Sequence, residues 1–182
     1  KIANLGGGAV LIDQGTFSGD NLTFLSNTAT FDGGAIAVTQ SVGDSPLGIG
    51  REVDNLGVLS RAKFIDNYAG RTGGAVQIDN ALSPVINVEL TFVLSTFSGN
   101  KSITGAGAVA GLVAQVNLVS SGVFANSGAG GTIDTSLIDV TDSVFQGNLS
   151  QGAGGAALNA SSQVLRVRGS TFSGNVSAGG GV

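Results

Sequence analysis

Apolar and polar positions alternate over short runs along this chain, and the alternation restarts at intervals. Ile86, Val88, Leu90, Phe92 and Leu94 share one parity, with Asn87, Glu89 and Thr91 on the other. Leu112, Ala114, Val116 and Leu118 repeat this against Gln115 and Asn117, and Leu165 and Val167 against Arg166 and Arg168. A period of two predicts strands with one buried face. The parity slips shortly before a Phe: Leu94 is even and Phe97 odd, Val167 odd and Phe172 even. Side chains alternate strictly within a strand, so each slip predicts a corner or bulge. A recurring corner winds strands into a coil, where a flat meander would need hairpin turns.

The restarts follow a repeat. Phe24-Leu25-Ser26-Asn27 leads to Gly33-Gly34-Ala35-Ile36, Phe64-Ile65-Asp66-Asn67 to Gly73-Gly74-Ala75-Val76, and Phe145-Gln146-Gly147-Asn148 to Gly154-Gly155-Ala156-Ala157. Phe97-Ser98-Gly99-Asn100 leads to Ala106-Gly107-Ala108-Val109, and Phe172-Ser173-Gly174-Asn175 to Gly179-Gly180-Gly181-Val182. A looser copy holds Phe124 with Gly130-Gly131-Thr132-Ile133, and Thr16 to Asp20 reads as a degenerate Phe-x-x-Asn element. A fixed internal period means one unit stacked on itself. Copies of about 20–30 residues with two or three short strands predict an all-β fold, a parallel β-helix of about six to seven coils filling residues 1–182 as one domain. The Phe-to-Phe spacing is longest between Phe24 and Phe64, which predicts a loop projecting at about 40–57, rich in turn residues and charge.

The repeated residues read as architecture. Phe24, Phe64, Phe97, Phe145 and Phe172 are the apolar plug of each layer. Asn27, Asn67, Asn100, Asn148 and Asn175 sit where a strand ends and can form an amide ladder from coil to coil. The pairs Gly33-Gly34, Gly73-Gly74 and Gly154-Gly155 allow positive φ and close approach of neighbouring coils.

Composition agrees. There are 31 glycines, charged residues are only 11%, and 42% of residues are hydrophobic. So much Gly disfavours helices, and low charge with high apolar content opposes disorder. The net charge is −4 with no basic patch, which argues against nucleic acid as a partner. Cys and His are both absent, removing thiolate sites and the commonest general base. The longest apolar run, from Ala106 to Val119, is too short and too polar for a membrane span.

Candidate chemistry is sparse. A polysaccharide-degrading β-helix enzyme needs clustered carboxylates. Asp134, Asp139 and Asp142, with Asp66 and Asp79 elsewhere, are the candidates, and they read as solvated positions. No Trp and a single Tyr, Tyr68, leave no aromatic platform for sugars. No catalytic residue, cofactor site or metal site is therefore expected; Gly130-Gly131-Thr132-Ile133-Asp134 is one poor match to a calcium solenoid motif, which leaves adventitious calcium at most.

The pairing of Phe-x-x-Asn with Gly-Gly-Ala-(Ile/Leu/Val), carried from Gly6 to Val182, resembles the passenger repeats of the chlamydial polymorphic outer membrane proteins, which are autotransporter adhesins. The resemblance implies a right-handed β-helix, export and adhesion; a translocating β-barrel is not part of these residues. The expected function is a non-catalytic structural and adhesive module, extracellular or at the cell surface, with a host or cell-surface receptor as partner. The alternative is a subunit that stacks on itself end to end into a filament, because open coil ends expose strand edges.

Overall fold

The computed structural model describes residues 6–13, 16–39, 55–79, 88–112, 114–152 and 155–179. Among these residues there is no helix. The strands wind in six turns. The first holds β1 (Val10–Asp13), β2 (Gly19–Asp20), β3 (Thr23–Leu25) and β4 (Thr28–Ala29). The second holds β5 (Ile36–Thr39), β6 (Asn55–Ser60), β7 (Lys63–Ile65) and β8 (Tyr68–Ala69). The third holds β9 (Val76–Asp79), β10 (Val88–Val93), β11 (Thr96–Ser98) and β12 (Lys101–Ser102). The fourth holds β13 (Val109–Leu112), β14 (Ala114–Val119), β15 (Gly122–Phe124) and β16 (Ser127–Gly128). In the fifth, β17 (Ile133–Thr141) replaces two strands with one, followed by β18 (Val144–Gln146) and β19 (Leu149–Ser150). The sixth repeats this with β20 (Leu158–Arg168), β21 (Thr171–Ser173) and β22 (Val176–Ser177).

Strands of successive turns pair in parallel, giving a long ten-stranded sheet and two narrow six-stranded sheets. This is a parallel β-helix. One narrow sheet carries β3, β7, β11, β15, β18 and β21; the other carries β4, β8, β12, β16, β19 and β22.

Corners explain the slips of parity. A residue with left-handed backbone stands three before the central residue of each strand of the first narrow sheet: Asn21, Arg61, Leu94, Ser120, Asp142 and Gly169, with φ between 49° and 58°. A second stands two after it: Ser26, Asp66, Gly99, Ala125, Gly147 and Gly174. Each reverses side-chain parity and bends the chain. Left-handed backbone costs a non-glycine residue about 1–2 kcal/mol, so Leu94 and Arg61 are held there by the pairing on both sides.

The bore is packed column by column. Phe24, Phe64, Phe97, Val123, Phe145 and Phe172 stand in register. The Phe64 ring stacks on Phe24 at 4.9 Å and on Phe97 at 4.7 Å, and Phe145 on Phe172 at 4.9 Å. Phe92 in the long sheet meets Phe97 edge-on at 4.9 Å. Beside this column lie Ile36, Val76, Val109 and Ile133, all buried.

Four expectations change. Val123, not Phe124, holds the column; Phe124 faces outward and its ring lies over Gly122, where a Cβ would meet it at 2.3 Å. Phe17 is no plug, because Gly19 and Asp20 pair with Leu59 and Ser60 of the long sheet. The expected loop at about 40–57 ends earlier, since residues 55–57 belong to β6; residues 40–54 lie outside the described residues. Gly154 also lies outside them. Gly155 takes the place of Gly33 and Gly73, three before the first paired residue, one position later than the Phe145 spacing indicates; Leu158 pairs with Ile133.

Candidate functional site

The corner after each Phe-column residue is built by Asn. Six asparagines, Asn27, Asn67, Asn100, Asn126, Asn148 and Asn175, form one continuous ladder. In each step the Nδ2 of one Asn donates to the Oδ1 of the next at 2.8–3.1 Å. The backbone N–H of the same residue donates to that Oδ1 at 2.9–3.1 Å. From Asn67 onward, Nδ2 also donates back to the column residue of the preceding turn, as Asn100 does to the Phe64 carbonyl at 2.9 Å. Every step runs the same way, so the ladder has a direction: donors toward the later turn, acceptors toward the earlier one. Asn67, Asn100 and Asn126 are fully buried, which makes each bond costly to break.

A second ladder occupies the other corner. Ala62 N–H donates to Ser95 Oγ, Ser95 N–H to Ser121 Oγ, Ser121 N–H to Ser143 Oγ, and Ser143 N–H to Ser170 Oγ, all at 3.0–3.1 Å. Sequence reasoning missed these serines and Asn126. Both had a signal: Val123 precedes Asn126 by the usual three residues, and each Ser stands two before a column residue.

The glycine pairs divide two tasks. Gly33 and Gly73 have φ of 64° and 63°, whereas a Cβ on Gly34 would lie 2.0 Å from the Gly74 carbonyl oxygen, and one on Gly74 2.0 Å from that of Gly107. The first glycine turns the chain and the second lets turns approach.

Among the described residues one charged group is buried. Asp32 accepts from Arg71 Nε at 3.2 Å, from Arg71 Nη2, from Thr72 N–H at 3.2 Å and from Thr72 Oγ1 at 2.9 Å. Arg71 also lies over the Phe31 ring at 5.4 Å. The hydrogen bond to Asp32 raises the Arg71 pKa, against a smaller lowering by burial; the charges of Asp32 and Asp79 add to the rise. This set ties two turns together across the corner after the second narrow sheet.

The sequence-derived carboxylates are not brought together. Asp139 pairs in register with Asn117 and Arg166, Asp134 with Ala110 and Asn159, and Asp79 with Thr39 and Leu112. Asp66 and Asp142 stand at two different corners. Among the described residues no group of three or more acidic side chains could hold a metal ion. Arg166 lies 4.0 Å from Asp139 on the outer face of the long sheet, where Asn117 bridges Glu89 and Thr91. A groove of about 400 Å³ lies between residues 6–8 and 28–31. Every buried side-chain polar atom of the described residues has a hydrogen-bond partner.

Spacing varies from turn to turn at the glycine corner, by a few residues, and more widely at a break within the long sheet. Two residues separate the strands at both left-handed corners in every turn. By contrast, the break within the long sheet runs from Thr39 to Asn55, from Asp79 to Val88 and from Leu112 to Ala114, and is closed in β17 and β20, where the fifth-to-sixth step keeps only a bulge near Thr135.

Residues 21–39 match the family model described as the Chlamydia polymorphic membrane protein (Chlamydia_PMP) repeat. The match takes in β3, the Asn27 rung, β4, the Gly33-Gly34 pair and β5, so the chain carries a repeat like those of that bacterial surface family. No curated protein and no solved structure matches the chain.

Proposed function

We propose that this protein is a non-catalytic structural and adhesive β-helix module of a bacterial surface protein, working outside the cell. The observation that carries the reading is that the left-handed corners are constant while the break within the long sheet changes length most. Two corners keep the same length in every turn, and the longest spacings between strands, from Thr39 to Asn55 and from Asp79 to Val88, fall at the break within the long sheet. A regular scaffold that carries segments of variable length at one place in its circuit is how repeat proteins present contacts to a partner. The ladders support the same reading, since the buried side-chain polar atoms of the described residues are paired within the protein and hold the turns together. The partner is a cell-surface receptor, and the segment that contacts it is residues 40–54, which follow β5 and precede β6 in the chain.

The test is display of the protein on a bacterial cell and measurement of attachment to host cells. Deleting residues 41–54 should abolish attachment while leaving the far-UV circular dichroism unchanged. Attachment that survives this deletion would reject this segment as the contact. Turnover of acidic polysaccharides by the purified protein would reject the non-catalytic reading.

A further inference from the structure

Five tripeptides in this chain have the form Asn-x-Ser/Thr, the acceptor pattern for attaching a sugar to an Asn side-chain amide. They are Asn21-Leu22-Thr23, Asn100-Lys101-Ser102, Asn148-Leu149-Ser150, Asn159-Ala160-Ser161 and Asn175-Val176-Ser177. Alike in sequence, they are treated differently by the fold. Three belong to the amide ladder. Asn100 Nδ2 donates to Asn126 Oδ1 at 2.8 Å and to the Phe64 carbonyl at 2.9 Å. Asn148 Nδ2 donates to Asn175 Oδ1 at 2.8 Å and to the Val123 carbonyl at 3.0 Å. Both amide hydrogens of each are engaged, and both residues are buried. Asn175 in turn donates to the Phe145 carbonyl at 3.0 Å. An amide nitrogen held in this way reaches a sugar donor only if the corner opens, at the cost of its buried hydrogen bonds. Asn159 is half-buried within β20, where it pairs in register with Asp134, and Ala160 with Thr135.

Asn21 is placed otherwise. It is the left-handed corner residue between β2 and β3, with φ of 53°, and its backbone holds that corner: the N–H donates to the Ser60 carbonyl at 2.9 Å. Its side chain is exposed. The exposure belongs to the position in the circuit, because the residues that take the same place in later turns, Arg61, Leu94, Ser120 and Asp142, are exposed as well, Leu94 to 56%. Thr23, the hydroxyl residue of the tripeptide, is exposed on the outer face of β3. Both groups that define the acceptor therefore face solvent.

We propose that Asn21 is an N-glycosylation site of the folded protein, used by a glycosyltransferase that reads Asn-x-Ser/Thr and takes a nucleoside-diphosphate hexose as donor. A bond forms between Asn21 Nδ2 and the anomeric carbon of the hexose. The bond from that carbon to the diphosphate oxygen breaks, and the nucleoside diphosphate leaves with the electron pair. The displaced amide proton passes to a base of the transferase. The left-handed corner takes Arg, Leu, Ser and Asp in other turns, so a sugar at this place leaves the packing of the turns intact. The inference does not depend on the adhesive reading.

The experiment incubates the folded 182-residue protein with a transferase that modifies synthetic peptides covering residues 17–25, 96–104 and 144–152, with a nucleoside-diphosphate hexose as donor. Mass mapping of the digested product reads the sites. The expected result is a hexose on Asn21 and none on Asn100 or Asn148, although the same tripeptides accept one as free peptides. Asn21→Gln and, separately, Thr23→Val should each abolish the Asn21 adduct while the far-UV circular dichroism stays unchanged. Both positions are exposed, so neither change threatens the fold. Folded protein left unmodified at Asn21, or modified at Asn100 and Asn148 to the same extent as at Asn21, would overturn the inference.

Discussion

Replacing Asn100 with alanine removes four hydrogen bonds at once from a fully buried corner. The side chain donates to Asn126 Oδ1 at 2.8 Å and to the Phe64 carbonyl at 2.9 Å, and accepts from Asn67 N at 3.0 Å and Asn67 Nδ2 at 2.8 Å. Asn126 Oδ1 keeps the Asn100 backbone donor at 2.9 Å. The Asn67 N–H and one Asn67 amide hydrogen lose their partners in the interior, and the Phe64 carbonyl loses one donor. At about 1–3 kcal/mol for each of the two orphaned groups, the loss is roughly 2–6 kcal/mol, toward the lower end if water enters the space left behind. Total stability of a domain is about 5–15 kcal/mol, so the variant should be close to unfolding at room temperature. The control is Asn27→Ala at the first rung, which removes the one donated side-chain bond to Asn67 Oδ1 and should cost about 1 kcal/mol. Urea unfolding followed by far-UV circular dichroism separates the two. Equal midpoints for Asn100→Ala and Asn27→Ala would show that the ladder does not hold this corner, and the energetic reasoning would fail.

Other expectations use the same assay. Phe97→Ala should cost about 3–5 kcal/mol, while Phe124→Ala, on the outer face, should cost far less; similar losses would mean the column has been assigned to the wrong residues. Gly34→Ala puts a methyl 2.0 Å from the Gly74 carbonyl oxygen and should prevent folding, whereas Gly147→Ala meets nothing within 4 Å and should lose only the left-handed penalty of about 1–2 kcal/mol. The stability that Arg71 gains from its raised pKa is fully present below the ordinary arginine value and is lost only as pH rises through the higher folded value. Wild-type unfolding midpoints should therefore show no loss from this pair up to pH 10, while the gap to Arg71→Lys should widen above about pH 10, where lysine begins to deprotonate. A gap that stays constant would assign the pair no electrostatic role.

Strand parity, the Phe–Asn spacing and the glycine pairs are local, and they were enough to specify a coil, five of the six Asn rungs and the position of the corners. Each rests on one residue type meeting one geometric demand: a large apolar group for the bore, an amide for a buried turn, a missing Cβ where two carbonyl paths cross. Pairing between turns is not local, and it alone decided the rest. Phe124 and Val123 are adjacent, and only the register with Phe97 and Phe145 shows which of them points inward. The serine ladder is invisible in one copy, because a hydroxyl two residues before a column position gains its role from the N–H of the turn below. Asp32 and Arg71 lie 39 residues apart and meet only when the second turn is laid on the first. In a stacked chain the interactions that specify a residue's role come from the copy above and the copy below, so the sequence determines the unit, and the winding determines which atoms of neighbouring units touch.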